Sequence, residues 1–571
     1  MKDTTADQKT FLPSGYSRIA LRFPDPFRFL ARMLHSEFLR HGVQTVPEAE
    51  AEYILNIRTD VMLPPETFTI EKTAEGLEIS GHGLSELAAG AGSFLHESRY
   101  RNGKLFPADR TGTISLQKPF RCIYFATHFY NFYHVAPLNE IRDYIANLAL
   151  WGFNTLALWY DLHHFHDIDC TESITFRKRL LTIAGYAREA GMKIFCLTVS
   201  NEAFANSPES LRARKENGQR GGWYDSQICP SCPGGLDYLK KQFDEVCRKF
   251  IVPLNPEYIS FWPYDQGGCG CEECHPWGGN GFLKTYEALR SIANRYIPQT
   301  KWNLSFWFCQ EDEWNLALEK ITENPHYCDY IMEENPVFKR KQQIVPQIGF
   351  PEISMNHLPW GGYGAAPQPE RFQKEWNARK DIVCGGYVYS EGIFEDLNKV
   401  IFSQFYCFDR LAKDTVKIYA EYEFGETAAE NVCRLIDSLE KNHELPKNPY
   451  PYKDKTAEEM DSLLQTALPL QNFPDAETAC SLAEHIHSHL PEEIRNSWRW
   501  RILNIRAKLD RDFRQHGGLP SPECDSLFAE LMEIYHAENA LDYYLKPVVS
   551  NRFRKTTESA KANMHSEERN N

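Results

Sequence analysis

From residue 120 to residue 411 the chain alternates between short apolar runs and longer amphipathic stretches. The runs fall at 121–126, 154–159, 193–199, 258–262, 302–308, 329–332, 353–356 and 382–389, and each has the pattern of a buried strand. Between them lie stretches with helical spacing. In 138–150, for example, Ile141, Ile145 and Leu148 recur on one face. Others are 176–190, 236–250, 282–296, 314–322 and 369–380. Eight strands, each followed by a helix, over about 290 residues match the count and size of a (β/α)₈ TIM barrel. The helix signal is weakest in the sixth and seventh units.

The flanks follow different rules. Residues 13–118 read as a small α/β accessory domain, with strand-like runs at 53–57, 68–70 and 77–79. A helix follows at 84–97, rich in Ala and Gly for close packing. After residue 411 strand signals stop, and helices are expected at 414–424, 457–467, 476–489, 492–514 and 526–545. The expected division is therefore 13–118 accessory, 119–411 barrel and 412–550 helical, with a polar, disordered tail at 551–571.

Composition narrows the classes. A chain of 571 residues should hold more than one domain, and its net charge of −15 argues against nucleic acid and anionic membrane as partners. The first residues are polar, without the basic-then-apolar signature of a signal peptide, and no run reaches the ~20 apolar residues needed to span a bilayer. The 16 cysteines are a small share of the 571 residues, and many sit inside apolar runs. A reduced, cytoplasmic setting fits them.

In a TIM barrel catalytic groups sit at the C-terminal strand ends. Those ends carry His128, Asp161, Asn201 with Glu202, Asp265, Glu311 with Asp312, Glu333 with Glu334, His357 and Glu391. Trp159, Trp262, Trp307 and Trp360 fall near the same rim. Flat aromatic faces beside carboxylates suit a sugar, whose C–H faces stack while its hydroxyls take hydrogen bonds. Asp265 and Glu391 are the first candidates for a catalytic carboxylate pair. Each ends an apolar strand and is followed closely by glycine. Glu333 and Glu334 are further candidates, although adjacent acids also flank strands simply as solvated residues. Tyr264 and Tyr389, beside the two leading carboxylates, join His128, Asp161, Asn201, His357 and the tryptophans as the expected substrate-binding set.

The stretch 258–277 concentrates the unusual chemistry. Its strand runs into Asp265, then Cys269, Cys271 and Cys274. The preceding barrel loop carries Cys229 and Cys232, so four thiolates from neighbouring loops could enclose a structural Zn²⁺. Free thiols or a loop disulfide are the alternatives. No cofactor is expected for catalysis itself.

The layout resembles glycoside hydrolases that place a small α/β domain before a (β/α)₈ barrel: families 20, 67, 84 and 89, the hexosaminidases, α-glucuronidases and α-N-acetylglucosaminidases. Residues 53–100 look like their accessory domain. Residues 127–133 with 148–154 look like the first barrel unit of family 89, and 262–274 and 389–399 are similar to loops of bacterial relatives. The resemblance spans roughly residues 30–425 and implies a glycosidase. Family 20 enzymes carry an Asp-Glu pair after strand four, where this chain has Asp265-Gln266, so their mechanism does not carry over. The expectation is a glycoside hydrolase acting on a small oligosaccharide or glycoside, such as an N-acetylated or uronic sugar. The alternatives are a degenerate carbohydrate-binding barrel and a metal-dependent barrel enzyme using His128, His163, His164 and His166.

Overall fold

A computed structural model describes residues 14–23, 28–127, 131–214, 226–264, 268–307, 309–334, 336–341, 344–353, 364–442, 473–516 and 521–536. Eight parallel strands form the central sheet: Phe120–Phe125, Thr155–Trp159, Lys193–Val199, Tyr258–Trp262, Lys301–Ser305, Tyr330–Met332, Gln347–Ile348 and Gly385–Ser390. The eighth pairs with the first. Single bridges, Gly349 to Gly386 and Glu352 to Tyr389, join the seventh to the eighth. The sheet is therefore a closed (β/α)₈ barrel. Because every pairing is parallel, all C-terminal strand ends share one face.

Two separate apolar cores follow from strand alternation. One set of side chains, including Phe120, Tyr124, Trp159, Phe195, Tyr258, Trp262, Phe350, Tyr387 and Tyr389, fills the barrel interior. The other set, including Ile123, Phe125, Leu156, Leu158, Ile259, Phe261 and Leu304, meets the surrounding helices. Closure depends on Gly385 (φ +133°), where a Cβ would stand 1.8 Å from the carbonyl oxygen of Phe120. No side chain fits between strands that close.

The N-terminal unit is a six-stranded mixed sheet packed on helix Leu84–Glu97. The small residues of that helix permit the close packing expected of them. A Cβ at Gly92 would lie 1.7 Å from the carbonyl oxygen of Leu150, in the helix after barrel strand 1. Beyond the barrel the described residues form helices: Ala412–Phe424, Glu426–Asn442, Ala476–His489, Trp498–Gln515 and Pro522–Ile534. Among the described residues no helix is long and apolar enough to cross a membrane.

Several expectations are corrected or lie outside the described residues. The seventh strand begins at Gln347, not at 353, because a two-residue ladder flanked by Pro346 and Pro351 leaves almost no apolar signature. Helix Glu426–Asn442 adds to the expected set, although Ala429, Val432, Leu435, Ile436 and Leu439 recur at helical spacing and are buried. The expected helix 492–514 is two, Glu492–Arg495 and Trp498–Gln515, divided where Ser497 caps the second through its side chain. The expected helix 457–467, the end of the helix 526–545 and the tail 551–571 lie outside the described residues.

Candidate active site

Glu391 follows barrel strand 8 directly and is 1 % exposed. Its turn is held on every side. The carboxylate of Glu395 accepts from the backbone N–H of Glu391 (2.7 Å) and Gly392 (3.0 Å) and from the hydroxyl of Ser390 (2.8 Å). Lys399 donates to the carbonyl of Gly392. From the C-terminal helices Tyr535 reaches in and donates to the carbonyl of Glu391 (2.6 Å). The Glu391 side chain itself is engaged only at one oxygen, which accepts from the Tyr389 hydroxyl at 2.7 Å. Its Oε2 is buried and has no protein partner among the described residues. Burial pushes the carboxyl up to about 8; the Tyr389 hydrogen bond opposes this, and the charges of Glu395 and Glu352 add to it.

The upper barrel interior beside Glu391 is aromatic. Phe350 packs against Trp262 and Trp307 with ring centroids 5.0 Å apart in each case, and against Tyr389 at 5.7 Å. Trp262 and Trp307 are 6.0 Å apart. The indole N–H of Trp262 is buried without a protein acceptor among the described residues. Trp159, on the neighbouring side, donates its N–H to Glu202 at 3.3 Å.

Glu202 anchors a second polar sector, at the ends of strands 2 and 3. It pairs with the ring Nδ1 of His163 and also accepts that residue's backbone N–H at 3.3 Å. Burial raises its carboxyl to about 8, with the hydrogen bond from His163 opposing. Asp161, fully buried at the end of strand 2, pairs with His164, while its Oδ1 has no protein partner among the described residues. Burial raises the Asp161 carboxyl, and the same cause lowers His163 well below the usual imidazole range. Asp161, His163 and His164 present ligand atoms within 4.8 Å of one another.

Several of the other strand-end residues engage protein partners. Asn201 is wholly buried, its amide bonding the carbonyls of Ile228 and Gly268 and accepting from Gly268 N–H, each at 3.0 Å. It stitches the loop after strand 3 to the loop after strand 4. Tyr264 faces the helical layer rather than the barrel interior and donates to Glu313. Glu334 accepts the backbone N–H of Phe350 (2.9 Å) and pairs with Arg379 (3.0 Å), so both of its oxygens are occupied. Glu333 is half-buried, with its carbonyl accepting from Gln347. Glu311 and Asp312 lie in the first turn of helix Glu311–Glu323, where carboxylates answer the helix dipole. His128, Asp265, His357 and Trp360 lie outside the described residues.

The cysteine loops converge. Cys229, Cys269, Cys271 and Cys274 bring their sulfurs within 4.8 Å of one another. Cys232 stands apart: its thiol points to the carbonyls of Cys229 (3.2 Å) and Leu211 (3.7 Å). None of the sixteen cysteines is joined in a disulfide. Sequence reasoning places Glu202 at a strand end without assigning it a role. The signal that could have raised it is the proximity of His163 and His164 in the loop of the adjacent strand.

No family model matches the sequence, and no curated protein matches it. Solved structures with a similar fold include a family GH115 4-O-methyl-α-glucuronidase with specificity for decorated arabinogalactans. It superposes with a TM-score of 0.58 at 11% identity over 95% of this chain and 79% of that one. A GH138 enzyme targeting pectin rhamnogalacturonan II gives 0.56 at 13% identity over 91% of this chain and 73% of that one. A GH20 exo-β-N-acetylglucosaminidase from Vibrio harveyi gives 0.49 at 11% identity over 75% of each chain. At this identity the first two share with this protein a fold that extends over nearly its whole length.

Proposed function

We propose that this protein is a glycoside hydrolase that cleaves a small oligosaccharide or glycoside, with Glu391 as the general acid. The observation that carries the reading is the Glu391 carboxyl. It is buried at the C-terminal mouth of the barrel and held by Tyr389, and its second oxygen has no protein partner among the described residues. Buried polar atoms ordinarily find partners. Asp161 Oδ1 and the Trp262 indole N–H are likewise without protein partners among the described residues, at the ends of strands 2 and 4 on the same barrel face. A polyhydroxylated ligand supplies donors and acceptors together, and the Trp262–Trp307–Phe350 surface offers its C–H faces a wall. The fold shared with the GH115 and GH138 glycosidases supports the same reading.

In this scheme Glu391, protonated near neutral pH, gives its proton to the glycosidic oxygen as the C–O bond breaks. Asp265 acts from strand 4, either activating a water or attacking the sugar carbon itself. The strand ends that lead to the two residues share one face of the barrel. Buried, unbridged cysteines such as Cys122, Cys196, Cys247 and Cys407, used as small apolar side chains, support a reducing compartment such as the cytoplasm.

A panel of chromogenic glycosides, including N-acetylated and uronic sugars, tests the proposal. Turnover of at least one member, lost in Glu391→Gln while the protein stays folded, is expected. Sugar binding without turnover anywhere in the panel would leave a binding barrel instead. The grouping of Asp161, His163 and His164 favours a second reading, a metal-dependent hydrolase. Turnover abolished by chelator and restored by a divalent ion, with Glu391→Gln still active, would select it.

A further inference from the structure

We propose that Cys229, Cys269, Cys271 and Cys274 form a closed tetrathiolate site for one Zn²⁺, which locks together the loops after barrel strands 3 and 4. The sulfur positions carry the inference. Cys229 Sγ lies 3.7 Å from Cys271 Sγ and 3.9 Å from Cys274 Sγ, and all four sulfurs fall within 4.8 Å of one another. A tetrahedron with Zn–S bonds of about 2.3 Å has sulfur–sulfur edges of about 3.8 Å. Ordinary packing gives no reason for four thiols from two loops to meet at that spacing. A disulfide needs its sulfurs about 2.05 Å apart. Iron–sulfur clusters, several metal and sulfide atoms across, hold their cysteines farther apart than this.

The surroundings prepare the site without the metal. Asn201 ties Ile228, next to Cys229, to Gly268, next to Cys269. The backbone N–H of Cys229 bonds the carbonyl of Leu211 (2.9 Å), and that of Cys274 turns back onto Cys271 (3.0 Å). The N–H of Arg214 points to the Cys269 sulfur at 3.5 Å, as N–H groups do around metal thiolates. Ser231 lies 3.3 Å from the Cys274 sulfur and in turn accepts from Lys284 at 3.2 Å. That cation offsets part of the negative charge left when four thiols lose their protons to a divalent ion. Cys229, Cys269 and Cys274 are buried and Cys271 is half-buried, which leaves no open coordination position for a reacting water. The site is structural. It fastens the chain just beyond Asp265 to the neighbouring loop, and it stands whether or not the glycosidase reading does.

The distinctive element is the excluded neighbour. Cys232 belongs to the same loop as Cys229, and simple motif matching would include it, yet its thiol bonds carbonyls instead. Elemental analysis of protein purified without chelator should find one zinc per chain in the wild type and in Cys232→Ser, and almost none in Cys271→Ser or Cys274→Ser. Should those variants not fold, the wild type alone suffices. Under native conditions four thiols should resist a thiol reagent until zinc is stripped. Reconstitution with Co²⁺ should give the visible and near-ultraviolet bands of tetrahedral cobalt thiolate. Protein purified without zinc that takes up neither Zn²⁺ nor Co²⁺ would overturn the proposal. So would iron found in place of zinc, or loss of the metal in Cys232→Ser.

Discussion

Two sectors of the barrel mouth hold a buried glutamate whose carboxyl is raised to about 8: Glu391 at strand 8 and Glu202 at strand 3. Burial is the main cause in both. What separates them is occupancy. Glu202 is enclosed by the Trp159 indole and by two nitrogens of His163, backbone and ring. Glu391 accepts one bond, from Tyr389, and its other oxygen is open among the described residues. A carboxyl with an open oxygen can hand its proton to a ligand, whereas one with both oxygens bonded holds its neighbours in place. Under the proposed function the same pKa direction would go with two different roles, and occupancy would distinguish them.

The largest expected effect is on Glu391. Glu391→Gln should reduce turnover by about 10²–10⁴-fold, the usual worth of a positioned acid, with little change in melting temperature. If Glu202→Gln cost as much turnover while staying folded, the contrast between the sectors would fail. Next comes the pH profile. As an acid, Glu391 is active while protonated, so kcat/KM should fall as pH rises through about 8. Tyr389 bonds the charged form, so Tyr389→Phe should move that limb upward by about one unit or more. An unmoved limb would show that the titrating group is elsewhere.

Stability sharpens the comparison further. Both carboxyls are raised from 4.5, so the stability they confer is fully present below that value and is lost as pH rises through about 8. The wild-type melting temperature should decline across that window. Glu202→Gln should flatten the decline while costing about 1–3 kcal/mol at pH 5, by disturbing a buried hydrogen-bonded group. Turnover should change much less than in Glu391→Gln. The smallest effect is expected at Tyr535, which links the C-terminal helices to the carbonyl of Glu391. Tyr535→Phe should cost about 0.5–1.5 kcal/mol in urea unfolding and slow turnover only slightly. A loss as large as that of Glu391→Gln would mean that the helical unit positions the acid.

Much of this was legible in the chain. Strands alternate with amphipathic helices, and alternation is a local property written residue by residue, so seven of the eight barrel strands and most of the C-terminal helices could be read directly. Only the seventh strand escaped, because two paired residues between prolines have no periodicity to show. The strand ends also located Glu391, Asp161, Trp159, Trp262 and Trp307 on one face of the barrel, and the cysteine spacings anticipated a cluster of thiols from two loops. The tertiary structure decided which of several equivalent-looking groups are open. Glu334 is occupied by Arg379 and by a backbone N–H from the chain just after strand 7, Tyr264 is turned to Glu313, and Cys229 rather than Cys232 completes the thiol cluster. Each of those partners is remote in sequence from the residue it engages, or is chosen by the local turn of one loop. A hydrophobic pattern records which face of a strand is buried, but not what the residues beyond its end will meet.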